Sequence, residues 1–321
     1  MTRSEAATND DHREGAVSQL PSLLRGRSLG HSLLLCAALS IPAPPLSGQG
    51  AAGDQEGSSV SVLAQYDFDE HSSRDRLSRA LREISGLAVV DGRVFAHNDE
   101  QGRIYELDPG SGDVLAEGRL GPDRVSGDFE GIAFIPEGLA MITSRGTLVE
   151  IPWDMETEWD DMEDGLTFRT TRTGLADTCE IEGLAEASGN STLLIVCKTN
   201  LERRLWGTLQ VFAFDLETRT LREQPHLQVG LDALEEVGLD QIHPSGIAEH
   251  PDGHLLILTS QERGILEIDA AGVPIAWVKL DKDRHRQPEG IAFLPNGDLL
   301  IADEGDGGRA RLTTYATDDR P

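Results

Sequence analysis

Short apolar stretches alternate with turn residues along most of this chain, and they keep register with a tetrapeptide that reads Ser or Glu, then Gly, then Ile or Leu, then Ala. Copies begin at Ser85, Glu130, Glu182, Ser245 and Glu289. A pattern this loose is expected about 0.03 times by chance in a chain of this length, so five copies in series are an internal repeat. Their glycines are Gly86, Gly131, Gly183, Gly246 and Gly290, with successive gaps of 45, 52, 63 and 44 residues. That period belongs to propeller blades. After each copy come a turn, a short apolar strand, a polar loop and another strand. Pro251-Asp252-Gly253 precedes one such strand and Pro295-Asn296-Gly297 another, and Asp-Gly and Asn-Gly are hairpin signals. A sixth match, at Glu137, is out of register, because Gly138 occupies that same turn slot.

The repeat predicts an all-β, five-bladed β-propeller. Blade 1 spans residues 84–121, blade 2 129–174, blade 3 180–230 and blade 4 243–281, while blade 5 starts at Gln287 and has only three strands. An N-terminal strand is expected to supply the fourth, since closure leaves no open sheet edge. Residues 61–68 (SVLAQYDF) alternate well enough to be that strand. Short helices are expected over residues 73–83 and 232–236, the second with Gly238 near its C-terminal cap.

The first fifty residues follow another pattern. A polar segment ending in Arg25 and Arg27 leads into an apolar run over residues 29–41, then Pro42, Pro44, Pro45 and small residues. A run of about a dozen residues suits the hydrophobic region of an export signal better than a membrane span. Residues 1–53 are therefore expected to be an export signal, or an uncleaved anchor with a linker, and residues 54–321 the propeller. The product is expected in the periplasm or outside the cell, tethered to the membrane if the leader is kept.

Charge sharpens this picture. The chain carries a net charge of −28, and residues 1–50 hold four acids and four bases, so the whole imbalance falls on the folded part. Such a field repels nucleic acid and attracts cations, and it also serves solubility. A monomer that binds no nucleic acid is expected. Residues 154–164 pack seven acids into eleven positions without the spacing of a calcium-binding EF-hand loop; a solvated loop is expected there. Cys179 and Cys197 flank a predicted hairpin at Ser188-Gly189-Asn190 and sum to within two of its register. They are either a disulfide that an oxidising compartment permits or two small buried residues.

The blade pattern also predicts a site. Inner strands line the channel, so the residues one and three before each motif glycine ring its mouth: Ser85 and Glu83, Glu130 and Asp128, Glu182 and Glu180, Ser245 and His243, Glu289 and Gln287. The loops between second and third strands add Asn98, Asp99, Glu100, Lys198, Asp303 and Glu304. Carboxylates gathered at a narrow mouth repel one another unless a cation offsets them, and Ca2+ tolerates irregular oxygen ligands better than Mg2+. The expected ligand set is Glu130, Glu182, Glu289 and Asp99, with Asp303 and Glu304 in reserve. The structural alternative has these acids capping strand ends or pairing with Arg145 and Lys198. There is no nucleophile elbow, P-loop or zinc spacing. If the protein is an enzyme, His243 and Lys198 are the catalytic candidates: Glu130 or His243 would activate water while Lys198, Arg145, Arg203 and Arg204 hold an anionic substrate.

These motifs, with Asn98-Asp99-Glu100, Cys197-Lys198, His243-Pro244 before Ser245 and Gln287-Pro288 before Glu289, resemble the SdiA-regulated, YjiK-like family of bacterial envelope β-propellers. The likeness covers roughly residues 60–317. A weaker one runs to esterase-like phytase and to gluconolactonase or regucalcin propellers. The closer resemblance implies an exported or membrane-tethered propeller associated with calcium. Two functions follow as expectations: a cation-binding sensor module of the cell envelope, with a small anionic ligand or an envelope protein as further partner, or a calcium-dependent hydrolase of a phosphate ester or lactone.

Overall fold

In the computed structural model, residues 60–153, 159, 164–189 and 191–317 are described, and they form five antiparallel sheets in series. The strand that closes the ring is β1 (Ser73–Arg76). Blade 1 contains β2 (Ile84–Val90), β3 (Arg93–Asn98), β4 (Arg103–Leu107) and β5 (Val114–Arg119). Blade 2 contains β6 (Phe129–Ile135), β7 (Gly138–Thr143), β8 (Thr147–Pro152) and β9 (Arg169–Arg172). In blade 3, β10 (Cys179–Glu186), β11 (Thr192–Asn200) and β12 (Thr208–Asp215) are followed by two short strands, β13 (Thr220–Leu221) and β14 (Leu227–Gly230), which both pair with β12. Helix α1 (Leu231–Glu236) then leads to blade 4, made of β15 (Pro244–Glu249), β16 (Leu255–Thr259), β17 (Gly264–Ile268) and β18 (Pro274–Lys279). Blade 5 has β19 (Pro288–Phe293), β20 (Leu299–Asp303) and β21 (Arg311–Tyr315), with β1 as its fourth strand.

The five-bladed propeller closed by an N-terminal strand is therefore as the repeat predicts, but the closing segment is different. Residues 61–68 do not form that strand. Val62–Gln65 is a 3-10 turn, and Tyr66 makes only an isolated bridge to Thr317. Its apolar side chains serve packing: Val62, Leu63 and Tyr66 are buried against the core shared by blades 4 and 5. The buried Glu267 carboxylate accepts from the backbone N–H of Val62 (2.8 Å) and Leu63 (3.2 Å), from Ser61 Oγ (2.5 Å), and lies 2.6 Å from His254 Nδ1. Ladder pairing falls instead to Ser73–Arg76, where a helix was expected. It runs antiparallel to β21 with Ser73 opposite Thr314 and Arg76 opposite Arg311.

Each apolar stretch buries where alternation puts it, between blades. One core unites blades 1 and 2 and takes in Trp153 and Trp159, stacked edge to face on one another at 5.3 Å. Of the acidic excursion only Trp159 and Asp164 are described, and the rest of that expectation lies outside the described residues, as do those on residues 1–53. The turn glycines behave as expected: Gly253 and Gly297 have φ near +81° and +87°, a region open to glycine at no steric cost. Cys179 and Cys197 form a disulfide with Cα atoms 5.8 Å apart. α1 ends as predicted, with Gly238 just beyond it at φ +93°.

Candidate functional site

The motif glycines explain how narrow the ring is. A Cβ on Gly131 would lie 2.6 Å from Leu184 N in the next blade, and one on Gly246 would lie 2.9 Å from Glu289 O. The contact repeats around the axis, Gly290 meeting Leu87 of blade 1, so that only glycine lets five inner strands approach this closely. Just below, Leu87, Ile132, Leu184, Ile247 and Ile291 close the channel, leaving a space of about 10 Å3. That volume is no more than one water needs. The mouth above is a dead-ended cup.

In all five inner strands the register slips at the residue before the glycine. Gly86 pairs with His97 while Ile84 pairs with Asn98, and the same slip falls at Glu130, Glu182, Ser245 and Glu289. Each motif therefore carries a β-bulge, which leaves its first residue out of the ladder and re-aims the side chain. Simple two-residue alternation fails at such a point. Of the residues three before the glycine, Glu83 and Gln287 line the mouth cavity, whereas Asp128, Glu180 and His243 do not.

That cavity has a volume of about 150 Å3 and is lined by Glu83, Ser85, Asp99, Glu130, Glu182, Lys198, Gln287, Glu289 and Glu304. Five of the six expected carboxyl ligands thus meet in one place: Glu130, Glu182, Glu289, Asp99 and Glu304. Asp303 is not among them. It is buried, 2% exposed, with Oδ2 2.8 Å from His285 Nδ1, and His285 Nε2 lies 2.6 Å from the Tyr315 hydroxyl. The pairing of Pro288 with Asp303 and of Gly290 with Ala302 sends this side chain toward His285, which the sequence pattern did not reveal.

The cup holds more negative charge than it can ionise. Burial, then the charges of Glu182 and Asp128, pushes the Glu130 carboxyl up to about 9, with Ser85 Oγ donating to its Oε2 at 3.1 Å. Glu289 is pushed up to about 8 by burial and by Glu182. Glu182 is also raised by burial, offset by an ion pair with Lys198 and by a hydrogen bond with Glu130. The hydrogen bond with Glu130 lowers Glu182, as it does for an accepting carboxylate, so Glu130 is the donor in that carboxyl pair. Glu304 is raised by burial and by Asp99, while Gln287 Nε2 donates to it. Asp99 is raised by burial and by Glu83, and its Oδ1 is buried with no hydrogen-bond partner. Burial pushes Lys198 down, but its hydrogen bond and charge contact with Glu182 outweigh this, and its pKa is raised.

Lys198 is the lone cation lining the cup, and its pairing with Glu182 is the structural alternative realised at one position. The other catalytic candidate stands apart. His243 Nδ1 lies 2.7 Å from Glu262 Oε1, and its backbone N–H donates to Oε2 of the same residue at 3.0 Å. It faces a neighbouring cavity of about 320 Å3 that also touches Lys198 and Trp206. Arg203 stacks over Trp206 and Arg204 pairs with Glu202, so neither reaches the carboxyls. All acidic donors of the cup are hard oxygens, which suits Ca2+ chemistry. Among the described residues, however, no three His, Cys, Asp or Glu side chains stand close enough to hold one ion as placed.

A sequence model of the family described as SdiA-regulated matches residues 63–306. The human NHL-repeat-containing protein 4 is 35% identical over 63 residues, 20% of this chain, and the chain spans about half (49%) of that relative's length. Among solved structures, Myxococcus xanthus glutaminyl cyclase is similar with a TM-score of 0.53 and 18% identity, covering 77% of this chain and 95% of its own. The PQQ-bound aldose sugar dehydrogenase of Streptomyces coelicolor follows at a TM-score of 0.49 and 13% identity, covering 76% and 97%. At 18% identity the cyclase likeness bears on the fold alone, and the dehydrogenase's adds nothing to it.

Proposed function

The chain belongs to the SdiA-regulated family, and from that premise we propose that it is an envelope binding module whose acidic cup takes up a divalent cation, Ca2+ before others. One observation carries the reading: three carboxyls, Glu182 buried and Glu130 and Glu289 half-buried, share a dead-ended cup with a single lysine, beside an Asp99 oxygen that has no partner. Protons now do what a cation would do. Glu130 and Glu289 release them when a divalent charge replaces them, so affinity rises with pH and binding liberates protons. The carboxyls must also draw closer than they stand now. A dead-ended cup fits binding better than turnover, and the leader expected at residues 1–53 would place the module outside the cytoplasm.

Thermal unfolding of the purified protein in EDTA and in millimolar Ca2+ tests this. Saturation at a hundred times the dissociation constant stabilises the fold by about 2.7 kcal/mol. That is a rise of roughly 5–10 °C at this size, and Glu130→Gln should abolish it. An unchanged midpoint with Ca2+, Mg2+ and Mn2+ alike removes the cation reading. The second reading, a calcium-dependent hydrolase of a phosphate ester or lactone, is favoured by the proton Glu130 retains beside Lys198, a general acid at neutral pH. Absence of turnover on a panel of both substrate classes, with the cation bound, eliminates it.

A further inference from the structure

The seam that closes the ring carries positive charge that a chain of net charge −28 has no need to place there. β1 and β21 set Arg76 directly opposite Arg311, with Arg74 two residues along on the same face. Like charges opposite one another weaken a strand pair. Asp75, between Arg74 and Arg76 in sequence, offsets part of this charge, but the cations around Arg311 outweigh it. Beside it lies a cavity of about 260 Å3 to which Arg74, Arg309 and Arg311 contribute from the seam, and Arg284 and Arg286 from the loop before blade 5.

Four acids also border this cavity, Asp283, Asp303, Glu304 and Asp306, but none of its five arginines forms an ion pair among the described residues. Asp303 is held by His285 and Glu304 by Gln287. Arg284 is spent on the carbonyls of Phe68 and Asp69. The other arginines keep donors free. Arg74 gives one terminal N–H to Arg284 O at 2.7 Å, yet its Nε is buried with no acceptor, a state that costs stability until a ligand supplies one. Arg309 uses Nε on Leu77 O and retains its outer nitrogens. Burial, and then Arg74, Arg76 and Arg309, lowers the pKa of Arg311, as expected of a guanidinium among cations.

We propose that this cavity binds a phosphoryl oxyanion, held by Arg74, Arg309 and Arg311 across the closing seam, with Arg286 from the facing loop. Guanidinium forks arriving from separate segments match the several acceptor oxygens of a phosphate. The volume leaves room for more than a bare phosphate, so the ligand is a phosphorylated small molecule or a phosphorylated lipid headgroup. This site shares only Glu304 with the acidic cup and does not depend on the cation reading.

The test titrates the whole protein with inorganic phosphate, against sodium chloride at equal ionic strength, by calorimetry and thermal unfolding. Phosphate should bind and raise the midpoint beyond chloride. Arg311→Gln should weaken phosphate binding by about tenfold or more, equivalent to roughly 1.4 kcal/mol. Without phosphate the same variant should be at least as stable as the parent, because it relieves the charge facing Arg76; a purely structural arginine would lower the midpoint. Arg286→Gln, on an exposed loop residue, should also weaken phosphate and guards against a folding failure in the seam. Equal shifts with phosphate and chloride, or a phosphate affinity unchanged in both variants, overturn the proposal. Glycerol 3-phosphate and phosphatidate vesicles separate the two sources: binding of the first alone identifies a soluble ligand, cosedimentation with the second that Arg311→Gln abolishes identifies a headgroup, and binding of neither overturns the site.

Discussion

Glu130→Gln should make the metal-free protein more stable at neutral pH and leave it unchanged in acid. Unfolded, Glu130 ionises near 4.5; folded, it holds its proton to about 9. Between those values the native state binds one more proton than the unfolded state, so the contribution of this group to stability falls as pH rises, by about 1.4 kcal/mol per pH unit. By pH 7 the penalty approaches roughly 3 kcal/mol. Part of that charge is shared with Glu182 and part is screened by solvent at the open mouth, so about 2 kcal/mol is expected to remain. Glutamine is neutral in both states and escapes the penalty. It can still accept from Ser85 and donate to Glu182 in place of the carboxyl proton. Thermal unfolding in EDTA should therefore show the variant roughly 4–8 °C above the parent at pH 7, with the gap closing near pH 5. His97, fully buried and pushed down to about 4, imposes an opposite slope in acid, but it is common to both proteins and cancels in the difference. A variant that is less stable at every pH, or a gap that does not depend on pH, would refute the argument that Glu130 is held protonated by burial and by its neighbours.

Other outcomes follow from the same geometry. Ca2+ binding at pH 7 should release protons, measurable as a buffer-dependent calorimetric enthalpy, and the release should fall in Glu130→Gln. Gly131→Ala should cost about 3 kcal/mol or more, read by denaturant unfolding, because its Cβ would meet backbone of the neighbouring blade at 2.6 Å rather than a side chain able to turn away. Reducing the Cys179–Cys197 disulfide, or replacing both residues by serine, should lower stability by about 3 kcal/mol for the loop it closes, with the midpoint shift checked in the presence and absence of reductant.

Sequence by itself determined the blade count, the strand order and the ring of motif residues, because these are written in a repeated apolar pattern and in glycines that no other residue replaces at a crowded axis. It also brought Glu130, Glu182, Glu289, Asp99 and Glu304 to one mouth. Three matters were left to the tertiary structure. The bulge before each glycine breaks the two-residue alternation in every blade, and of the residues three before the glycine only Glu83 and Gln287 line the cup, while Asp128, Glu180 and His243 stand outside it despite the same spacing. Asp303 turns to a histidine eighteen residues away, a pairing that only the fold creates. The closing strand is Ser-Arg-Asp-Arg, with no apolar alternation to mark it. It pairs because the edge of β21 offers backbone N–H and C=O groups that any sequence can satisfy, while the apolar residues 61–68 that look like a strand are drawn into the core and hold their amides on Glu267. Side-chain pattern records what is buried. Backbone pairing at an edge, and the convergence of charges from distant blades, is recorded only in three dimensions.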